Sequence, residues 1–264
     1  MVPDLQGSSR LDANSSPGGP VKLFESFGLF EKVILLGTNG WGWSENLVEA
    51  LLDSGALSVI VANATADYEG LSNQRVVKLK LDFACAESVD EMLRAVLKNF
   101  DRLDVLINAF DMVLCKPFLR ITEAEWDKVM RTNLKAVFLL TRVAGRIMTR
   151  QGFGSIVNIV SVSGSLGVRN AAAYAAALGA VNQLTRSLAL EWASSNVRVN
   201  SVAMGFPDGA MKEERDGMLK RYIPLSRFPK FEDLAPLVIF LSSSASSYMT
   251  GHVYHVDGGL LARG

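Results

Sequence analysis

The sequence predicts a doubly wound α/β fold, a parallel sheet of about seven strands with helices on both faces. Three observations predict it. Short apolar runs alternate with helical-period segments along nearly the whole chain. Some of those runs, such as Val33–Leu36 and Val59–Val61, are continuously apolar, which is the pattern of strands buried on both faces. Beyond the first residues no linker or repeat divides the chain, and its 264 residues, 49% hydrophobic, suffice for one domain with a sizeable core.

The elements follow in order. Residues 1–21 are rich in Ser, Gly, Pro, Asp and Asn and are expected to form a disordered tail, leaving the domain to 22–264. Val33–Leu36 is the first buried strand. Ser44–Ser54 carries Leu47, Ala50 and Leu51 at helical spacing and stops at Gly55, a residue suited to the left-handed turn past a helix end. Val59–Val61 and Val76–Leu81 are the next strands, followed by an amphipathic helix over Val89–Phe100 and a strand over Leu103–Ile107. A long helix is expected over Thr122–Met148, opened by a Thr122/Glu125 capping box. Strand Ser155–Val160, helix Ala171–Ala193, strand Val197–Val202, helix Leu234–Leu241 and strand Val253–Val256 complete the chain.

Composition excludes several function classes. Lys plus Arg number 27 and Asp plus Glu number 27, so no basic stripe points to nucleic acid and no acidic tail to metal buffering. Cys85 and Cys115 have no CxxC spacing and are expected to be reduced core thiols of a cytoplasmic protein. His252 and His255 lack carboxylate or Cys companions, so no metal is expected. No apolar run is long enough for a membrane span, and no secretory pattern is visible.

Several segments, in order, resemble the short-chain dehydrogenase/reductase family. They are Arg102–Asn108, Glu125–Asp127, Thr132–Phe138, Gly154–Ser161, Arg198–Val202 and Thr250–Gly259, and the likeness covers about 22–262. It is greatest to the ketoacyl-reductase-like branch of this Rossmann-type family. The resemblance implies a tyrosine that exchanges a proton with the substrate oxygen, a serine that holds that oxygen, an asparagine on the preceding long helix, and a lysine that lowers the tyrosine pKa. Tyr174, Ser161 and Asn133 match the first three. The lysine position, four residues after Tyr174, holds Leu178, which can neither carry charge nor donate a hydrogen bond. Arg169 is weighed as a substitute cation against a solvated loop residue.

The family's glycine loop, which lets a pyrophosphate approach a helix N-terminus, falls on Gly37-Thr38-Asn39-Gly40-Trp41-Gly42-Trp43-Ser44. With the helix in register, Thr38 and Ser44 stand at two of its glycines and only Gly42 matches. Gly37, Gly42, Asp82 and Asn108 are the candidate cofactor residues, in a degenerate pattern. Asp82 stands where the family contacts adenine, though Asp there equally suits a turn. Trp41 and Trp43 are suited either to stacking on adenine or to filling the groove. The second strand ends Val61-Ala62-Asn63-Ala64, with neither an acid nor an Arg to select NAD or NADP. Phe110 and Asp111 follow Asn108-Ala109 where backbone is expected to pass close to the cofactor.

These departures lead to the expectation of no dinucleotide, or weak NAD(P) binding, and of an inactive or impaired subunit. The resemblance implies a homo- or heterotetramer through helices 122–148 and 171–193, with an active paralogue and an acyl-CoA-linked hydroxy or keto substrate. The alternative is an active NAD(P)-dependent alcohol or ketone oxidoreductase using Ser161 and Tyr174; a non-catalytic regulator that binds in the crevice is the third. Lys212, Lys220 and Arg221 in the loop Phe206–Tyr222 suit either a phosphate-bearing carrier or a solvated face.

Overall fold

The computed structural model describes residues 23–63, 71, 73–83, 88–89, 94, 96, 98–206 and 220–263. Residues 1–21, Cys85, parts of the helix expected over Val89–Phe100, and Lys212 with most of its loop lie outside the described residues.

Seven parallel strands form one sheet, as the sequence predicts. They are β1 (Val33–Thr38), β2 (Ser58–Asn63), β3 (Val76–Lys80), β4 (Val105–Ala109), β5 (Gly154–Ser161), β6 (Val197–Met204) and β7 (Val253–Val256), in the order β3-β2-β1-β4-β5-β6-β7. β1, β2 and β4 are buried along their whole length, which explains the apolar runs Val33–Leu36, Val59–Ala62 and Val105–Ile107 within them. The edge strand β3 turns Lys78 and Lys80 outward, a charged edge that discourages pairing with another chain.

Strand alternation divides the core into two layers. Val33 and Leu35 of β1 face one side, Ile34 and Leu36 the other. The first layer is covered by α4 (Ala136–Gln151) and α5 (Ala172–Trp192), through Leu140, Val143, Leu178 and Val181. The second is covered by α2 (Ser44–Asp53) and α6 (Phe231–Ser242), through Leu47, Leu51, Leu234 and Val238. The short α1 (Leu23–Ser26) precedes the sheet.

The helix expected over Thr122–Met148 is α3 (Glu123–Met130), a π turn over Arg131–Lys135, and α4, which ends at Gly152 with φ of 79°. Thr122 Oγ1 accepts from the Glu125 N–H, and Glu125 Oε2 accepts from the Thr122 N–H, so the capping box forms. The π turn widens the helix at Asn133; such bulges recur at functional sites because they re-aim a side chain. Cys115 is exposed in the loop after β4, which corrects its reading as a core thiol: an apolar-looking residue there has no layer above it. Among the described residues no helix is long and apolar enough to cross a membrane.

Candidate functional site

The sheet order reverses between β1 and β4, so the loops leaving their carboxyl ends diverge and open a crevice. Asn39–Trp43, Phe110–Lys116, the end of β5 and the first turns of α5 meet there.

Tyr174 is buried in the first turn of α5 and donates to Asp111 Oδ1 at 2.6 Å. Burial pushes the phenol well above its usual range, the Asp111 charge and hydrogen bond add to this, and the Ser161 hydroxyl opposes it. Burial also raises the Asp111 carboxyl, against the pull of the Tyr174 bond. Ser161 ends β5; its Oγ donates to Ser163 Oγ and accepts from the Ser163 N–H, both at 3.2 Å. Leu178 lies one helical turn below Tyr174, 1% exposed and packed into the first core layer, and Arg169 is exposed.

Asn133 faces inward from the π turn. Its Oδ1 accepts from the Met112 N–H at 2.8 Å and its Nδ2 donates to the Met112 carbonyl at 2.9 Å. Asn39 treats the adjacent residue in the same way: Oδ1 accepts from the Asp111 N–H and Nδ2 donates to the Asp111 carbonyl, each at 3.0 Å. Two side-chain amides thus grip two consecutive residues of the loop after β4. Sequence reasoning missed both Asn39 and the Tyr174–Asp111 pair. The available signal was an acid two residues past a buried strand, but its partner is 63 residues away.

The loop after β1 is held by hydroxyls. Thr38 Oγ1 accepts from the N–H groups of Gly40 and Trp41 at 3.2 Å and lies 2.8 Å from Ser44 Oγ, which donates to the Trp41 carbonyl at 2.7 Å. The two residues standing at glycine positions therefore satisfy each other. Gly40 has φ of +86°, which favours glycine, and a Cβ on Gly40 or Gly42 would meet nothing within 4 Å. Trp43, at the N-cap of α2, makes no side-chain cap bond; the Ser44 N–H donates to the Trp41 carbonyl at 2.9 Å, and the N–H groups of Glu45 and Asn46 are the first-turn donors suited to an anion. Trp41 and Trp43 meet edge-on at 5.5 Å, and Trp43 leans on Phe231 at 6.2 Å.

The remaining candidates separate. Gly37 is buried in β1 between Ala62 and Asn108, and a Cβ there would meet Leu140 Cδ1 at 2.2 Å. Asn108 is also buried: its Nδ2 donates to Thr141 Oγ1 at 3.1 Å and to Asn158 Oδ1 at 2.8 Å, and Asn158 Nδ2 donates on to Thr185 Oγ1. Asp82 is exposed just after β3. Gly40 and Gly42 border open space beside the N-terminus of α2.

A family model described as enoyl-(acyl carrier protein) reductase matches residues 39–261. The chain is 34% identical over 240 residues to 3-oxoacyl-(acyl-carrier-protein) reductase FabG of Aquifex aeolicus, covering 87% of this chain and 97% of that one. It is 31% identical over 252 residues to 2-dehydro-3-deoxy-D-gluconate 5-dehydrogenase of Bacillus subtilis, covering 91% and 99%. A solved structure described as an NAD(P)-dependent gluconate 5-dehydrogenase of Beutenbergia cavernae, with NADP bound at low occupancy, superposes with a TM-score of 0.81 at 31% identity, covering 90% and 99%. That neighbour, similar over nearly its whole length, holds NADP, which overturns the expectation of a missing or weak cofactor. Within the glycine loop, Gly40, out of the family register, borders open space, and Gly37 is closed in by Leu140 and Phe110.

Proposed function

Because the chain belongs to the short-chain dehydrogenase/reductase family, we propose that it is an NAD(P)-dependent alcohol or ketone oxidoreductase in which Ser161 and Tyr174 handle the substrate oxygen. The observation that carries this reading is a buried Tyr174 on which the Ser161 hydroxyl acts, at the same edge of the sheet as the open cradle of Gly40 and Gly42.

In this reading one cytoplasmic domain over 22–264 does the work. Gly40, Gly42 and the Glu45 and Asn46 N–H groups at the start of α2 hold the pyrophosphate, and Asp82 lies at the adenine end. Gly37 and Asn108 support the sheet beneath. A bound nicotinamide supplies or accepts the hydride. Ser161 holds the substrate oxygen by a hydrogen bond, and Tyr174 gives that oxygen a proton in reduction and takes one in oxidation. Asn133 keeps the loop after β4 in place.

The test is titration of the purified chain with NADH and with NADPH, followed by quenching of tryptophan emission. A turnover panel containing a 3-oxoacyl thioester, ethyl acetoacetate and a ketogluconate accompanies it. Binding below about 1 mM with turnover of one panel member is expected. Absence of binding at that concentration removes the reading.

A second reading keeps the fold and changes the role. Leu178 at the position of the family lysine, and a Tyr174 hydroxyl committed to Asp111, favour an impaired subunit that assembles with an active paralogue on an acyl-CoA-linked substrate. Association, homomeric or mixed, would use helices 122–148 and 171–193, on which Phe138 (44%) and Leu190 (82%) are exposed. Bound dinucleotide without turnover, together with mixed oligomers on size exclusion, would select this reading.

A further inference from the structure

Resting on the reading of Tyr174 as the proton-exchanging group, we propose that Asp111 is its proton partner, a held carboxylate that does by relay what a cation beside a phenol does by charge. The contact is short, 2.6 Å from Tyr174 Oη to Asp111 Oδ1, in the range of a charge-assisted O–H···O bond.

The carboxylate is positioned from two sides. Asn39 occupies both backbone polar groups of Asp111, and Asn133 both of Met112, in four bonds of 2.8–3.0 Å. Those amides come from the loop after β1 and from the π turn, two elements far apart in the chain. A side chain whose own backbone and that of the next residue are both pinned has little freedom to swing away from Tyr174.

The surroundings set what the pair can do. From α5 the titratable group acting on Asp111 is Tyr174, while the β1 loop and the π turn present the neutral amides of Asn39 and Asn133, and Ser161 acts on the phenol from β5. Leu178 brings no charge. Among the described residues no lysine or arginine acts on the carboxyl. Burial raises it, which moves its proton affinity toward working pH. Beside a carboxylate, Tyr174 is prevented from becoming a free phenolate, so it must release one proton as it receives another.

In oxidation the alcohol O–H bond breaks and a Tyr174 Oη–H bond forms, while the original Tyr174 O–H bond breaks and Asp111 Oδ1–H forms. The electron pair of the carbinol C–H bond leaves with its hydrogen to the oxidised nicotinamide that the proposed activity supplies, and a carbonyl remains. Tyr174 stays neutral throughout, and Asp111 returns its proton to solvent between turnovers. Reduction runs the same bonds in reverse from a protonated Asp111.

The experiment is an infrared-monitored pH titration of carboxyl groups in the dinucleotide-free chain, compared with Asp111→Asn and Tyr174→Phe. The wild type is expected to show a carboxyl titrating above its ordinary value of 3.8. That signal is lost in D111N. In Y174F it moves further up, because the bond that favours the charged form is gone. A carboxyl at the ordinary value, or one unmoved by Y174F, overturns the proposal. With the panel substrate, D111N is expected to lower kcat about 100-fold, leave KM and dinucleotide affinity unchanged, and flatten the carboxyl limb of the pH profile. A D111N variant as fast as wild type, or faster, shows that Asp111 merely locks the phenol and overturns the relay. A wild type that binds no dinucleotide removes the oxidoreductase reading and with it the relay, while the infrared shift separately decides whether the pair shares its proton.

Discussion

Thr38→Val is the sharpest perturbation of the rebuilt glycine loop. It keeps the volume of a fully buried side chain and deletes one oxygen that serves three partners: the Gly40 and Trp41 N–H groups and Ser44 Oγ. Gly40 is exposed, so its N–H regains water; the Trp41 N–H, half-buried, regains it only in part. At about 1 kcal/mol per neutral bond, and somewhat more where a group stays unsatisfied, the loss is about 2–3 kcal/mol. Ser44→Ala removes the same Thr38–Ser44 contact and the bond to the Trp41 carbonyl, a loss of about 1–2 kcal/mol. Since one contact is shared, the double variant is expected to fall short of additivity by about 1 kcal/mol. Urea unfolding at fixed protein concentration reads all three; with a slope near 3 kcal/mol/M, Thr38→Val moves the midpoint by nearly 1 M. A loss below about 0.5 kcal/mol for Thr38→Val, or strict additivity in the double variant, would refute the view that paired hydroxyls hold this loop.

Three further outcomes are expected. Leu178→Lys buries an ammonium group where Leu178 is 1% exposed; it forfeits about 2 kcal/mol of apolar burial in thermal or urea unfolding and raises turnover by less than about 10-fold, because Tyr174 stays bonded to Asp111. Gly37→Ala drives a methyl into Leu140 and Phe110, both buried, and is expected to cost about 1–3 kcal/mol in the same assay. Asp111 has a folded carboxyl pKa raised above its ordinary 3.8 by burial, so its contribution to stability is present below that pH and lost as pH rises through the folded value. Asp111→Asn removes this dependence: its melting temperature should exceed that of wild type near pH 7, and the difference should close below pH 3.8, as differential scanning calorimetry at several pH values will show.

The strands and helices were legible because each is written locally. Val33–Thr38, Ser58–Asn63 and Val105–Ala109 bury both faces, so each carries a run of three or four consecutive apolar residues and not merely alternate ones. The Thr122/Glu125 cap could likewise be read from two residues three apart. Ser161, Tyr174, Asn133 and Leu178 could be named from motif spacing. The break of the long helix at Arg131–Lys135 could not, since one extra residue in a turn leaves the hydrophobic period nearly intact.

The sequence by itself determined the parallel doubly wound sheet, the order of its elements and the absence of a cation at position 178, all properties of residue type and short-range period. Only the tertiary structure decided what the site contains. Asn39 reaches Asp111 across 72 residues, Tyr174 reaches it across 63, and Asn133 reaches Met112 across 21. Whether a glycine faces open space, as Gly40 does, or lies beneath Leu140, as Gly37 does, likewise depends on what the sheet brings alongside. Hydrogen bonds and close packing act over a few ångströms in space whatever the separation along the chain, so no local pattern records them.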